Sequence, residues 1–97
     1  MFSIYFLYSK NSDKYYVGYS DNPDRRLIEH NTKDFNTFTK KHRPWDLAYH
    51  FPVSEIRGDA MKIEKFIKKQ KSRKLIEGII NEKLSGEHFK NVLEVQK

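Results

Sequence analysis

Five polar side chains stand where a plain pattern of strands and helices does not require them. Tyr5 and Tyr16 fall in two neighbouring apolar runs, eleven positions apart. Arg26 and His30 lie four residues apart in a segment with a helical start, so they share one face. Glu64 sits at the edge of an apolar helical stripe, four residues after Ala60 and three before Ile67. A carboxylate beside a core stripe needs a partner, a metal ion or solvent. Two phenols, an imidazole, a guanidinium and a carboxylate can together move protons, bind an anion and bind a cation. Taken singly, each has a plainer role. The tyrosines serve as half-buried strand aromatics. Arg26 serves as a solvated helix charge, and His30 as a cation near a helix C-terminus. Glu64 pairs with Lys68 at i,i+4.

The elements that must position these residues can be read from the same sequence. Phe2 to Tyr8 is a continuous aromatic and β-branched run that predicts a buried strand. Lys10 to Lys14 is a polar turn, and Tyr15 to Tyr19 a second strand, so the two form a hairpin. Gly18 inside that strand marks a bulge or a close approach. Asn22 as cap and Pro23 at the first helical position predict a helix reaching about His30. Asn31 to Pro44 has little periodicity and reads as a loop. Trp45 to Phe51 alternates as a third strand, stopped by Pro52. A second helical signal begins at Ser54, with Ile56, Ala60, Ile63 and Ile67 as its apolar stripe; Gly58 weakens its first turn and places its start later. Ser72 caps a third helix with Leu75, Ile76, Ile79 and Ile80 inward, ended by Ser85-Gly86. The expected fold is a small α+β domain, a three-stranded antiparallel sheet flanked by helices in the order β-β-α-β-α-α. Residues 1–83 are expected to form it, with 84–97 as a C-terminal tail whose apolar residues are Phe89, Val92 and Leu93.

At 97 residues the chain has room for one domain. With 14% aromatic and 33% charged residues it is too aromatic for a disordered chain and too charged for a membrane protein. No apolar run reaches the roughly 18 residues of a spanning helix, so no membrane is expected as a partner. Met1 to Lys10 lacks a basic leader and a cleavage site and reads as a strand. Without cysteine there is no disulfide framework and no thiolate metal site, which fits a cytoplasmic setting. The net charge is +6. Between Met61 and Lys74, seven cations (Lys62, Lys65, Lys68, Lys69, Lys71, Arg73 and Lys74) face Glu64 alone, an excess equal to the charge of the whole chain. Such a strip suits contacts to a nucleic-acid backbone, which depend on salt and not on base sequence. Its plain alternative is a solvated helix face.

Read together, the five positions resemble the GIY-YIG nuclease domain. Ser3-Ile4-Tyr5 stands for the first tripeptide and Tyr16-Val17-Gly18 for the second. Arg26, His30 and Glu64 follow in order, Glu64 inside Ala60-Met61-Lys62-Ile63-Glu64-Lys65. The resemblance runs from Phe2 to Ile80 and is strongest to stand-alone members similar to the N-terminal nuclease domain of the bacterial excision-repair nuclease. Those members also carry stretches like Arg43-Pro44-Trp45 and the basic run from Lys68 to Lys74. Two departures stand out: Ser3 replaces the first glycine, and Tyr19 occupies a position that is basic in some members.

The resemblance implies a metal-dependent endonuclease that hydrolyses DNA phosphodiesters, with RNA as the other nucleic-acid substrate, selective for flaps, nicks or branches in repair or recombination. It implies that Glu64 holds a divalent cation, Mg²⁺ first and Mn²⁺ second, with waters completing the shell. Arg26 would bind the scissile phosphate. Tyr5 would be the general base for the attacking water. Tyr16 would orient that water or share the role, and His30 would hydrogen-bond Tyr5 or the phosphate. Two other readings fit the same residues. One is a catalytically weak nucleic-acid-binding module. The other is a nuclease subunit that needs a protein partner or a second copy of itself.

Overall fold

A computed structural model describes residues 1–94. The first apolar run forms β1 (Phe2–Ser9), and a turn returns the chain as β2 (Lys14–Ser20). Asp13 closes that turn in the left-handed conformation, with φ 52°. β3 (Asp46–Ser54) pairs antiparallel with the other side of β1, so the sheet order is β2-β1-β3. This is the expected three-stranded α+β sheet, with both flanking strands antiparallel to the centre.

Among the described residues, five helices and a 3₁₀ turn accompany the sheet. α1 (Pro23–Thr32) begins as predicted: the Asn22 side chain accepts from the Arg25 N–H at 3.0 Å, and Pro23 follows it. Residues 31–44 are not all loop, because they hold a one-turn helix, α2 (Thr37–Lys41). Its apolar residues are too few to show a period; the Asn36 cap, bonded to the Thr39 N–H at 3.1 Å, defines it instead. α3 (Arg57–Lys69) starts at Arg57, three residues after Ser54, since the Ser54 hydroxyl accepts from the Ile56 N–H and donates to the Asp59 carboxylate and so ends the strand. α4 (Arg73–Glu82) is capped by Ser72 as predicted but stops at Lys83, which is left-handed with φ 52°. Pro52 does not stop the third strand. β3 lies at the sheet edge, where a residue without an N–H is tolerated.

Alternation along β1 divides its side chains between two faces. Ile4 and Phe6, with Val17 and Phe51, pack against Ala60, Ile63 and Ile67 of α3 and Ile79 of α4. Tyr5 and Leu7 face the other way and pack with Trp45, Tyr16, Leu27 and Leu47. After a 3₁₀ turn (Gly86–Phe89), a short α5 (Lys90–Glu94) lies against α3. Phe89 is buried in the first core, its ring 5.6 Å from that of Phe51 and nearly parallel to it. Among the described residues, no helix is long and apolar enough to cross a membrane.

Candidate active site

The hairpin register places Tyr5 opposite Gly18 and Tyr16 opposite Leu7. Tyr5, Tyr16 and Gly18 therefore emerge on one face of the sheet. A Cβ on Gly18 would lie 2.4 Å from the Tyr5 hydroxyl. The glycine is required because the Tyr5 ring crosses β2 at that point.

Behind Tyr5 lies a buried chain of hydrogen bonds. The Tyr5 hydroxyl is 2.8 Å from His30 Nε2, and His30 Nδ1 is 3.0 Å from Thr39 Oγ1. Thr39 in turn donates its one hydroxyl hydrogen to the Asn36 carbonyl at 3.3 Å. Its oxygen must then accept from His30 Nδ1–H. Burial first, then the Arg26 charge, pushes the His30 pKa down to about 4, so the ring is neutral at pH 7. A neutral imidazole with its proton on Nδ1 has an acceptor at Nε2. Tyr5 is thus the donor to His30. Burial pushes the Tyr5 phenol up to about 12, against the opposing pull of the nearby Arg26 guanidinium. Among the described residues, no buried polar side-chain atom lacks a partner.

The remaining groups surround the Tyr5 hydroxyl. Tyr16 accepts from Asn36 Nδ2 at 3.3 Å, and its ring lies 4.8 Å from that of His30. Burial, then the Glu64 charge, raises its pKa. Arg26 donates through Nη1 to Glu29 at 2.7 Å and lies 4.6 Å from the centre of the Phe35 ring. Those two contacts fix its planar fork. Glu64 reaches the site from α3 with 16% of its side chain exposed, and its nearest cation, Lys68 Nζ, is 3.8 Å away. That is too far for a hydrogen bond. Burial raises the Glu64 pKa and Lys68 opposes the rise.

Tyr5, Tyr16, Arg26 and Glu64 all line one cleft of about 350 Å³. His30 does not reach it and stands behind Tyr5. The structure also brings Arg57 into this cleft, a residue the sequence reading missed. Its signal was present: Arg57 precedes Glu64 by seven positions, two turns on one helix face.

The cationic strip does not form one surface. Lys68 touches the site, with its ammonium 5.1 Å from the centre of the Tyr16 ring. Lys62, Lys65 and Lys69 lie around Phe66 and Val92, beside α5. Lys71 lines a groove next to the site, and Lys74 lies on α4 against a different groove. Arg73 is committed within the fold, pairing with Asp13 at 2.6 Å and Glu77 at 3.1 Å. A helix turns 100° per residue, so consecutive lysines cannot share a face.

A family model for the GIY-YIG catalytic domain matches residues 1–77 of the chain. The chain belongs to the GIY-YIG family. GIY-YIG domains are nuclease domains that act on DNA, and GIY-YIG nucleases generally use divalent metals. A search of curated proteins and a search of solved structures each found no match. The donor set fits the GIY-YIG requirement for a cation. Glu64 turns a carboxylate without a hydrogen-bond partner into a polar cleft, and no cluster of three or more His, Cys, Asp or Glu exists among the described residues. One carboxylate with several waters is an arrangement that Mg²⁺ accepts, whereas a dedicated protein cage is not needed.

Proposed function

We propose that this chain is a metal-dependent endonuclease that hydrolyses DNA phosphodiesters and prefers nicked, flapped or branched DNA. The observation that carries this reading is the convergence of Tyr5, Tyr16, Arg26 and Glu64 on one cleft, with Tyr5 backed by a neutral histidine.

Arg26, held by Glu29 and Phe35, presents its fork to the scissile phosphate. Glu64 would hold Mg²⁺ or Mn²⁺, which would supply stabilisation of the charge that develops on the phosphate and the leaving group. Tyr5 is the general base. Its high pKa means that a free phenolate is not the resting form at pH 7. Proton movement is therefore concerted: the Tyr5 oxygen takes a proton from the attacking water while its own proton passes to His30 Nε2. The approaching phosphate charge raises the basicity of His30, which favours that transfer. Tyr16 lies beside Tyr5, with ring centres 6.4 Å apart, and orients the water. As the new P–O bond forms, the bond to the leaving oxygen breaks, and that oxygen takes up a proton from solvent.

The test is cleavage of labelled nicked, flapped, branched and plain duplex DNA with Mg²⁺ or Mn²⁺, using the parent beside Glu64→Ala. The expected result is cleavage by the parent, a loss of at least roughly a hundredfold in the variant, and DNA affinity largely kept. Equal cleavage by both proteins would remove Glu64 from the reaction. Salt-sensitive binding without cleavage by the parent would favour a binding module.

A further inference from the structure

Beside the cleft runs a second groove, lined by Lys14, Tyr15, Tyr16, Phe38, Lys68 and Lys71. Tyr16 lines both depressions, and Lys68 stands where they meet, near both Glu64 and the Tyr16 ring. The notable residue is Phe38 on α2. It is 41% exposed, and its ring lies 6.3 Å from that of Tyr16 with only 28° between their planes. Trp45 and His42 support it from the protein side, with ring centres 5.9 and 4.8 Å away. An aromatic ring braced by its neighbours and open on the other side is a stacking platform. Lys14 and Lys71 line the same groove, are exposed, and form no ion pair with any described residue.

Duplex DNA keeps its base faces covered by stacking. A strand offers a free base face and a phosphate together only where it is unpaired. We propose that this groove seats an unpaired nucleotide adjoining the scissile phosphate, its base on Phe38 and its phosphate between Lys14 and Lys71. This rests on the nuclease reading above and narrows the substrate to DNA whose strand is unpaired next to the cut. Because every base has a π-face, the groove selects for strand structure and not for sequence. The shared Tyr16 wall puts the seat next to the cleft.

The test uses the full chain carrying Glu64→Gln, so that DNA binds without being cut. Fluorescence anisotropy compares a duplex bearing a single-stranded flap with the same duplex lacking it. Phe38→Leu is expected to weaken flap binding roughly tenfold, the loss of one base–aromatic stack. Duplex binding should stay unchanged, and Phe38→Tyr should restore the flap preference. Lys14→Gln with Lys71→Asn, asparagine being tolerated at the left-handed φ of 47° at Lys71, should flatten the salt dependence of flap binding. The expected change is roughly 0.7 in slope per lost phosphate contact. Equal losses on both DNAs, or losses that Phe38→Tyr does not restore, would overturn the proposal and make Phe38 a packing residue. No loss on either DNA would overturn it in favour of another occupant, such as a protein. Cleavage by the parent chain is scored separately, so a failure of the nuclease reading is distinguishable from a failure of the stacking seat.

Discussion

Ile4 and Phe6 leave β1 toward α3 and are held by apolar contact, whereas Tyr5 leaves it the other way and is held by a hydrogen bond to His30. The same strand serves both purposes because alternate side chains point to opposite faces. The apolar face tolerates small displacements, since dispersion contacts are many and individually weak. The other face does not, because each link from Tyr5 through His30 and Thr39 to Asn36 depends on the one before it. One side of the sheet makes the strand rigid, and the other uses that rigidity to aim a hydroxyl.

This contrast predicts that substitutions on the two faces will separate stability from activity. The largest effect is expected on the apolar face. Phe51→Ala removes a ring that is 2% exposed and should cost about 3–5 kcal/mol in urea unfolding, with activity lost only as the fold is lost. A loss below about 1 kcal/mol would mean that this face does not carry the fold.

The next effect comes from the polar face and appears as pH dependence. His30 has its pKa depressed in the fold to about 4, from an ordinary value of 6.5. Between those values the unfolded chain binds a proton that the fold resists. Stability is therefore full above about pH 6.5 and declines as pH falls toward 4, by on the order of 3 kcal/mol. Thermal unfolding across that range should show the decline in the parent and a flatter profile in His30→Gln. Equal profiles would remove His30 as the titrating group.

The smallest effect on stability has the sharpest effect on function. Gly18→Ala puts a methyl group 2.4 Å from the Tyr5 hydroxyl, so the ring must move off its line to His30. The expected cost is about 1–3 kcal/mol in unfolding. Cleavage should fall by far more than an equally destabilised apolar-face variant would show. Parallel losses in the two variants would erase the distinction between the faces.

Much of this arrangement was legible in residue order. The hairpin register follows from two apolar runs and a short polar turn, and it already places Tyr5 and Tyr16 on one face. The i,i+4 spacing of Arg26 and His30 set them on one helix, but it did not reveal that Arg26 enters the cleft while His30 lies behind Tyr5. That division depends on tertiary packing. Thr39 and Asn36 were hidden because a five-residue helix has no readable period. Arg73 read as part of a DNA-binding strip, yet its partners Asp13 and Glu77 include a residue 60 positions away, a separation that periodicity cannot bridge. Pro52 read as a strand stop because proline interrupts a ladder. Whether it does depends on strand order, which β3 acquires only by lying at the edge.

Phe89 has one further consequence. Its ring covers Phe51, yet it follows all five candidate site residues and lies past the 77 residues that match the family. During synthesis from the N-terminus, the five candidate site residues leave the ribosome before Phe89. The ring that packs on Phe51 at the back of the core leaves after them. A growing chain of this protein therefore carries all five candidate site residues before the ring that packs on Phe51 is present.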